Sequence, residues 1–381
     1  MFPTEAPDDQ AFRMQVREWL HRNKPELPMP STETADGVPV HLEWERKLHE
    51  GRWAAVSWPD QYGGRDASLW QWLIFEEEYY RAGLPQRVAQ NGIFLLAPTL
   101  LELGTEDQKE RYLQRMAAVN DLWCQGWSEP EAGSDLASLR SRAVRDEEAG
   151  GWRLYGQKCW TTRGVYCSHM FGIFRTGTPE ERHRGLTYFL IDLKQPEITV
   201  RPVARLDGDD GFADVFFDGA FVADADVLGG VGQGWRVAMA TAGSERSLSL
   251  RSPGRFIASA DRLIDQYRSG GAEIRDDQRL RQAVADSWMA ARAYKLATDG
   301  TVSQLTSGGN LSAEASMSKV YWSELDVALH ETALMLRGAD AEIDEEWMRG
   351  YQFALSGPIY AGTNEIQKNI IAERLLGLPR P

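Results

Sequence analysis

The stretch Gln125-Gly126-Trp127-Ser128-Glu129-Pro130-Glu131-Ala132-Gly133-Ser134-Asp135 stands just inside the point where the hydrophobic period of this chain changes. Upstream, to about residue 120, apolar residues recur at helical spacing: Phe12, Val16, Trp19 and Leu20 follow Asp8 and Asp9, which sit where an N-cap would be. Further helical segments run through Leu42 and Trp44 to Trp53, over about 66–82, and over 92–117. From 121 to about 228 the segments are short and rich in strand formers. Trp152 and Leu154 share one strand face, with Arg153 and Tyr155 on the other. Thr187-Tyr188-Phe189-Leu190-Ile191 is a continuous apolar run, as in a strand covered on both faces, and Val215-Phe216-Phe217 is read in the same way. No helical pattern alternates with these strands, so a doubly wound parallel sheet is excluded.

Beyond the strands, Gly229-Gly230-Val231-Gly232-Gln233-Gly234 begins like a dinucleotide fingerprint, but no βαβ unit follows it, and it is read as a hinge. Helical periodicity then lasts to the end, with Met317, Tyr321, Leu325, Leu329, Ala333 and Leu336 in one stripe. The last helix starts near Thr363-Asn364 and stops at Gly377, with Pro379 just beyond. The expected organisation is a helical domain over 1–120, a β domain over 121–230 and a helical bundle over 231–381.

Bulk properties bound the function. The chain has 381 residues and a net charge of -14, which argues against nucleic-acid or anionic-membrane binding and requires a local basic pocket for any polyanion. No apolar run reaches the length of a membrane span, and the start lacks the pattern of a signal peptide. Cys124, Cys159 and Cys167 show no metal-ligand spacing, and the six histidines are scattered, so no metal site is expected. An odd, low cysteine count fits reduced thiols in the cytoplasm.

Two further segments stand out beside the first: Gly156-Gln157-Lys158-Cys159-Trp160-Thr161-Thr162 and Tyr360-Ala361-Gly362-Thr363-Asn364-Glu365-Ile366-Gln367. Singly each reads as turn, core or helix cap. Together, in this order, with the Trp58-Pro59-x-x-Tyr62-Gly63-Gly64 loop and the ending Ala372-Glu373-Arg374-Leu375-Leu376-Gly377-Leu378-Pro379, they resemble the acyl-CoA dehydrogenase family over nearly the whole chain. The resemblance implies a mainly α fold with a central β domain: an N-terminal helical domain, a middle β-barrel-like domain and a C-terminal four-helix bundle, with FAD between the last two. By position, Trp160 resembles the wall of the isoalloxazine site and Thr162 the hydroxyl donor to the flavin N5 edge. Trp127 and Ser128 resemble the pyrimidine-edge contacts, with Gln125 at the start of the same strip. Ser134 resembles the residue beside the CoA arm, and Thr363 and Glu365 the cofactor contacts from the last helix start.

The family reaction removes a proton from the α carbon of an acyl-CoA and passes a hydride from the β carbon to the flavin, leaving a trans-2-enoyl thioester. It needs a carboxylate at the proton and donors on the thioester oxygen. Many members carry the carboxylate where this chain has Ala361, whose backbone N–H still suits the thioester-oxygen site. Other members place it on a bundle helix before an arginine; the matching stretch is Gly243-Ser244-Glu245-Arg246-Ser247, which makes Glu245 the expected base and Arg246 its helper at the thioester. A base so placed suggests a branched or bulky acyl chain, ring-bearing or sterol-type.

Two stretches depart from the family's phosphate-gripping motifs: Ser269-Gly270-Gly271-Ala272-Glu273-Ile274-Arg275-Asp276-Asp277 and Met335-Leu336-Arg337-Gly338-Ala339-Asp340. These departures raise a heterotetramer in which a related chain lends the grip, beside a homo-oligomer with Arg275, Arg279 or Arg281 substituting. Three readings follow from the resemblance: a dehydrogenase passing electrons to an electron-transferring flavoprotein; an oxygen-using oxidase on the same fold; and a non-catalytic or half-site subunit.

Overall fold

The computed structural model describes residues 6–246, 252–309, 313–343 and 345–379. In chain order it runs α1 (Pro7–Asn23), α2 (Gly37–Glu50), α3 (Leu69–Arg81), α4 (Ala97–Leu103) and α5 (Glu106–Ala117). Eight strands follow: β1 (Trp123–Gly126), β2 (Arg142–Asp146), β3 (Gly151–Lys158), β4 (His169–Arg175), β5 (Leu186–Asp192), β6 (Ile198–Val203), β7 (Phe212–Ala223) and β8 (Val227–Leu228). The chain then returns to helix as α6 (Gly234–Arg246), α7 (Pro253–Ser269), α8 (Ala272–Arg275), α9 (Gln278–Thr306), α10 (Glu314–Arg337), α11 (Glu345–Ala354) and α12 (Asn364–Ile370). This helix–strand–helix order is the one expected from the periodicity.

The described residues form two compact units, each built from more than one stretch of chain. The helical unit takes Met1–Leu27, Ala67–Pro85 and Arg246–Pro381; the β unit takes Pro28–Asp66 and Gln86–Glu245. The segment 1–120, read from sequence as one domain, therefore contributes to both.

In the helical unit α7, α9, α10 and α11 build a core that includes Phe256, Leu263, Ala291, Leu329, Ala333 and Trp347, while α3 packs on α1 and α7. Helix α1 starts one residue before the expected cap: Pro7 takes the first helical position, where its missing N–H costs nothing, and Asp8 and Asp9 fall in the first turn against the positive end of the dipole. Of the expected stripe on α10, Leu325, Leu329, Ala333 and Leu336 are buried, but Met317 and Tyr321 are exposed.

In the β unit the sheet order is β6-β7-β3-β2-β4-β5-β8, with β1 pairing parallel to β4. Only tight 3-10 turns and loops connect β1 to β8, so no crossover helices exist to make a parallel sheet. Strand β5 is buried along Leu186–Ile191, as its unbroken apolar run requires. Strand β7 differs from expectation: it alternates, with Val215 and Phe217 buried and Phe216 half-buried under the Arg201 guanidinium at 4.9 Å.

The Gly229–Gly234 turn is pinned rather than loose. Gly229, Gly230 and Gly232 adopt positive φ, the Gly232 N–H donates to the Thr187 hydroxyl at 2.9 Å, and Gly234 lies against the Thr187 backbone with no room for a Cβ. Helix α6 is in turn fastened to the β unit by a buried hydroxyl trio, in which Thr241 meets Thr99 at 2.9 Å and Tyr188 at 3.2 Å.

Candidate active site

The first strip begins on β1, whose residue Gln125 is half-buried opposite Phe171 of β4. Where β1 ends, the chain turns so that Trp127 goes under the surface, its ring edge-on to Tyr188 at 6.3 Å. Its indole N–H is buried with no protein partner. An orphaned donor of this kind costs about 1–3 kcal/mol unless something else accepts from it. Ser128 is half-buried, and its carbonyl accepts the Cys159 N–H at 2.9 Å. That bond brings the second strip alongside the first.

The second strip is the end of β3 and the loop beyond it. Trp160 has φ +55° and is 64 % exposed, touching Phe212 edge-on at 5.8 Å. Thr161 exchanges both backbone hydrogen bonds with Ala213, at 3.0 and 2.9 Å, which fixes the loop on β7. Thr162 is half-buried beside it. Burial pushes the Cys159 thiol up to about 11, so it stays protonated and unreactive near neutral pH.

Sequence reasoning passed over three features here. The Thr161 hydroxyl is buried without a partner. Arg163, also left-handed at φ +55°, is buried and pairs with buried Glu33 at 2.8 Å. Lys158 and Glu129 form a buried ion pair at 2.7 Å between the strips. The signal available was the presence of charged residues inside otherwise apolar or small-residue motifs.

Ser134 lies on the exposed loop after the first strip. The Glu129 carboxylate closes that loop, accepting the N–H of Arg140 at 2.6 Å and of Ser141 at 3.0 Å.

The third motif belongs to the helical unit. Ala361 and Gly362 have φ +57° and +76°, and the Gln367 side chain donates to the Ala361 carbonyl at 3.0 Å. Gln367 is fully buried, and its own side-chain oxygen has no partner. The Thr363 hydroxyl caps α12 by accepting the Ile366 N–H at 3.3 Å. The buried Asn364 oxygen accepts from Lys319 at 2.8 Å and Ser323 at 3.1 Å. Glu365 is exposed, and hydrogen bonds from its own N–H and from Thr363 hold its carboxyl below the usual range.

Glu245 and Arg246 close the last turn of α6, but the side chains of Ser244, Glu245 and Arg246 lie outside the described residues. Of the three candidate phosphate-binding arginines, Arg279 is engaged by Asp277 at 3.0 Å. Among the described residues no group of three or more His, Cys, Asp or Glu side chains could hold a metal, and no helix is long and apolar enough to cross a membrane.

An exposed tryptophan face, a half-buried threonine next to it and an orphaned indole donor on the adjoining strip suit a flat heteroaromatic ring with hydrogen-bonding edges. The residues present therefore fit a flavin.

Comparison with known proteins gives matching family descriptions along the chain. The N-terminal, middle and C-terminal domains of acyl-CoA dehydrogenase match residues 6–120, 124–220 and 232–376. Acyl-CoA dehydrogenase IpdE1 of Mycolicibacterium smegmatis is 38% identical, over 97% of this chain and 98% of its own length. Among solved structures, the ChsE4–ChsE5 complex of Mycobacterium tuberculosis contains a chain that is 27% identical, with a TM-score of 0.85 and full coverage of both chains. The Tcur3481–Tcur3483 steroid acyl-CoA dehydrogenase shares the fold at a TM-score of 0.88 and 23% identity, again covering both chains fully.

Proposed function

The chain belongs to the acyl-CoA dehydrogenase family of flavin-dependent oxidoreductases, and from that premise we propose that it converts an acyl-CoA thioester to its trans-2-enoyl-CoA. The observation that supports this reading is the pairing of the two strips through Ser128 and Cys159, which runs the Trp127–Ser128 segment alongside the start of the Trp160–Thr162 loop. FAD, when bound, supplies the hydride acceptor. Trp160 would wall the ring, the Thr162 hydroxyl would donate at its N5 edge, and Trp127, Ser128 and Gln125 would serve the pyrimidine edge. Thr363 and Glu365 add cofactor contacts, and Ser134 borders the CoA arm.

Glu245 takes the α proton. The Ala361 N–H donates to the thioester oxygen as negative charge builds there, and Arg246 orders that end of the substrate. The left-handed conformation of Ala361 sets the direction of that N–H, and Gln367 holds the peptide from behind. A base on α6 rather than at 361 favours a bulky, ring-bearing acyl chain. The electron acceptor in this reading is an electron-transferring flavoprotein and the compartment is the cytoplasm.

The test is the visible spectrum of the chain purified with added FAD and freed of excess, followed by anaerobic addition of acyl-CoAs. A stoichiometric yellow protein bleached by bulky acyl-CoAs is the expected result; a yellow protein bleached only by short straight ones overturns the substrate class. In Glu245→Gln the flavin should stay bound while its reduction slows by about three orders of magnitude. Near-normal reduction in that variant would place the base elsewhere. Oxygen uptake with acyl-CoA would indicate an oxidase instead.

A second reading has its own support. Arg279 is already paired with Asp277, and the ChsE4–ChsE5 relative is a complex of two chains. On this reading a related partner supplies the phosphate grip in a heterotetramer, and the chain alone purifies folded but colourless.

A further inference from the structure

A lysine at the end of a strand usually lays its stem on the surface and keeps its ammonium in water. Lys158, the last residue of β3, does the opposite: it is fully buried. Its ammonium donates to the Glu129 carboxylate at 2.7 Å and to the Trp127 carbonyl at 3.3 Å, with the Phe174 ring 4.8 Å away. Glu129 is almost as deeply buried, and its two oxygens also accept the N–H groups of Arg140 and Ser141. Ser141 closes the circuit by donating its hydroxyl to the Gln157 carbonyl at 3.3 Å.

Burying both ions carries a desolvation cost of several kcal/mol each, and a well-packed apolar pair of similar volume is often as stable or more so. Fold stability alone is therefore a weak reason for charges here. What the pair does geometrically is specific. Lys158 lies two residues from Trp160 and four from Thr162, and it grips the carbonyl of Trp127, whose neighbour Ser128 is bonded to Cys159. Glu129 ties the far end of the loop that carries Ser134 to the same point.

We propose that Lys158 and Glu129 are the positioning pair of the cofactor site, setting the spacing between the Trp127–Ser128 strip, the Trp160–Thr162 loop and the Ser134 loop. Neither residue is assigned contact with the cofactor. Their role rests on the flavin reading above and acts through the residues that line the ring.

The test is the doubly neutral variant Lys158→Met with Glu129→Gln, which leaves no unpaired buried charge, beside Glu129→Asp, which keeps both charges and shortens one arm. Apo-protein is titrated with FAD and its thermal midpoint is recorded separately. The double variant should melt within a few degrees of wild type yet bind FAD roughly ten- to a hundredfold more weakly, with a changed visible band shape, because sub-ångström looseness is costly at such sites. Glu129→Asp should lose affinity in the same direction by a smaller factor. Wild-type affinity and band shape in the folded double variant, or in Glu129→Asp if the double variant does not fold, overturns the proposal alone. A wild type that takes up no FAD, alone or co-purified with a partner chain, overturns the flavin reading and this one with it.

Discussion

Trp160 holds a left-handed backbone, φ +55°, and leaves 64 % of its surface in solvent. For a bulky L-residue that conformation costs on the order of 1–3 kcal/mol, a pattern that clusters where a side chain is needed for function. Trp160→Gly should therefore raise the thermal midpoint of the apo-protein, or leave it unchanged, while FAD affinity drops by at least about tenfold. A variant that melts well below wild type would show that the indole is structural. Its motif singled out Trp160 as a candidate site residue, whereas its strain was not legible, because backbone conformation depends on how Thr161 pairs with Ala213 far along the chain. Glu129 and Lys158 were hidden for a related reason: type and spacing reveal charges, but only the fold reveals that they are buried against one another.

At the scale of the element, strand β3 makes the sharpest claim. Its register shifts between Leu154 and Tyr155, and the next residue, Gly156, has φ +129°. A Cβ there would stand 2.3 Å from the Ser141 hydroxyl oxygen and 2.8 Å from the Ser141 Cα, which cannot move without β2. Gly126 is also crowded, but by the flexible Met170 side chain. Gly156→Ala should consequently destabilise the β unit by about 3 kcal/mol or more, and Gly126→Ala by about 1 kcal/mol, as read by denaturant midpoints. Equal effects would mean that β2 yields as readily as a methionine.

Strand positions came through well where periodicity was unambiguous, as in the fully covered β5. The strand at Val215–Phe217 was found as well, but not its alternation: Phe216 lies half-buried under Arg201, and periodicity cannot see a cross-strand guanidinium. The start of α1 was misplaced by the ordinary competition between acids as caps and proline at the first helical position.

Across the whole molecule, acid stability follows from histidines in both units. His41 and His169 of the β unit and His330 of the helical unit are all held below the ordinary histidine value of 6.5, chiefly by burial. The Pro30 carbonyl opposes this for His41, as Asp121 does for His169 and Asp326 for His330. The unfolded chain takes up protons near pH 6.5 that the folded chain refuses, so stability is intact above that pH and falls as the pH drops below it. Urea unfolding should show lower stability at about pH 5.5 than at about pH 7.5, and flat behaviour would mean that these rings are charged in the folded state.

The division into two units was the least legible feature of the sequence. The glycine turn at 229–234 looks like a boundary, yet the chain stays with the β unit until Glu245, because Thr241 is bonded to residues 53 and 142 positions away.

The helical unit is assembled from three separated stretches, and this has a consequence for its birth on the ribosome. Helices α1 and α3 emerge early, but α7 and α9, against which α3 packs, are still untranslated. About 170 residues separate the end of α3 from the start of α7, a delay of roughly ten to thirty seconds at ordinary elongation rates. During that interval α3, whose buried residues include Trp72, Leu73, Phe75 and Tyr79, has α1 beside it but neither α7 nor α9, while all of the β unit's own sequence is made and can close first. The nascent protein is thus expected to gain from a chaperone, or from fast completion of its last third, which would keep an early apolar helix from finding the wrong company.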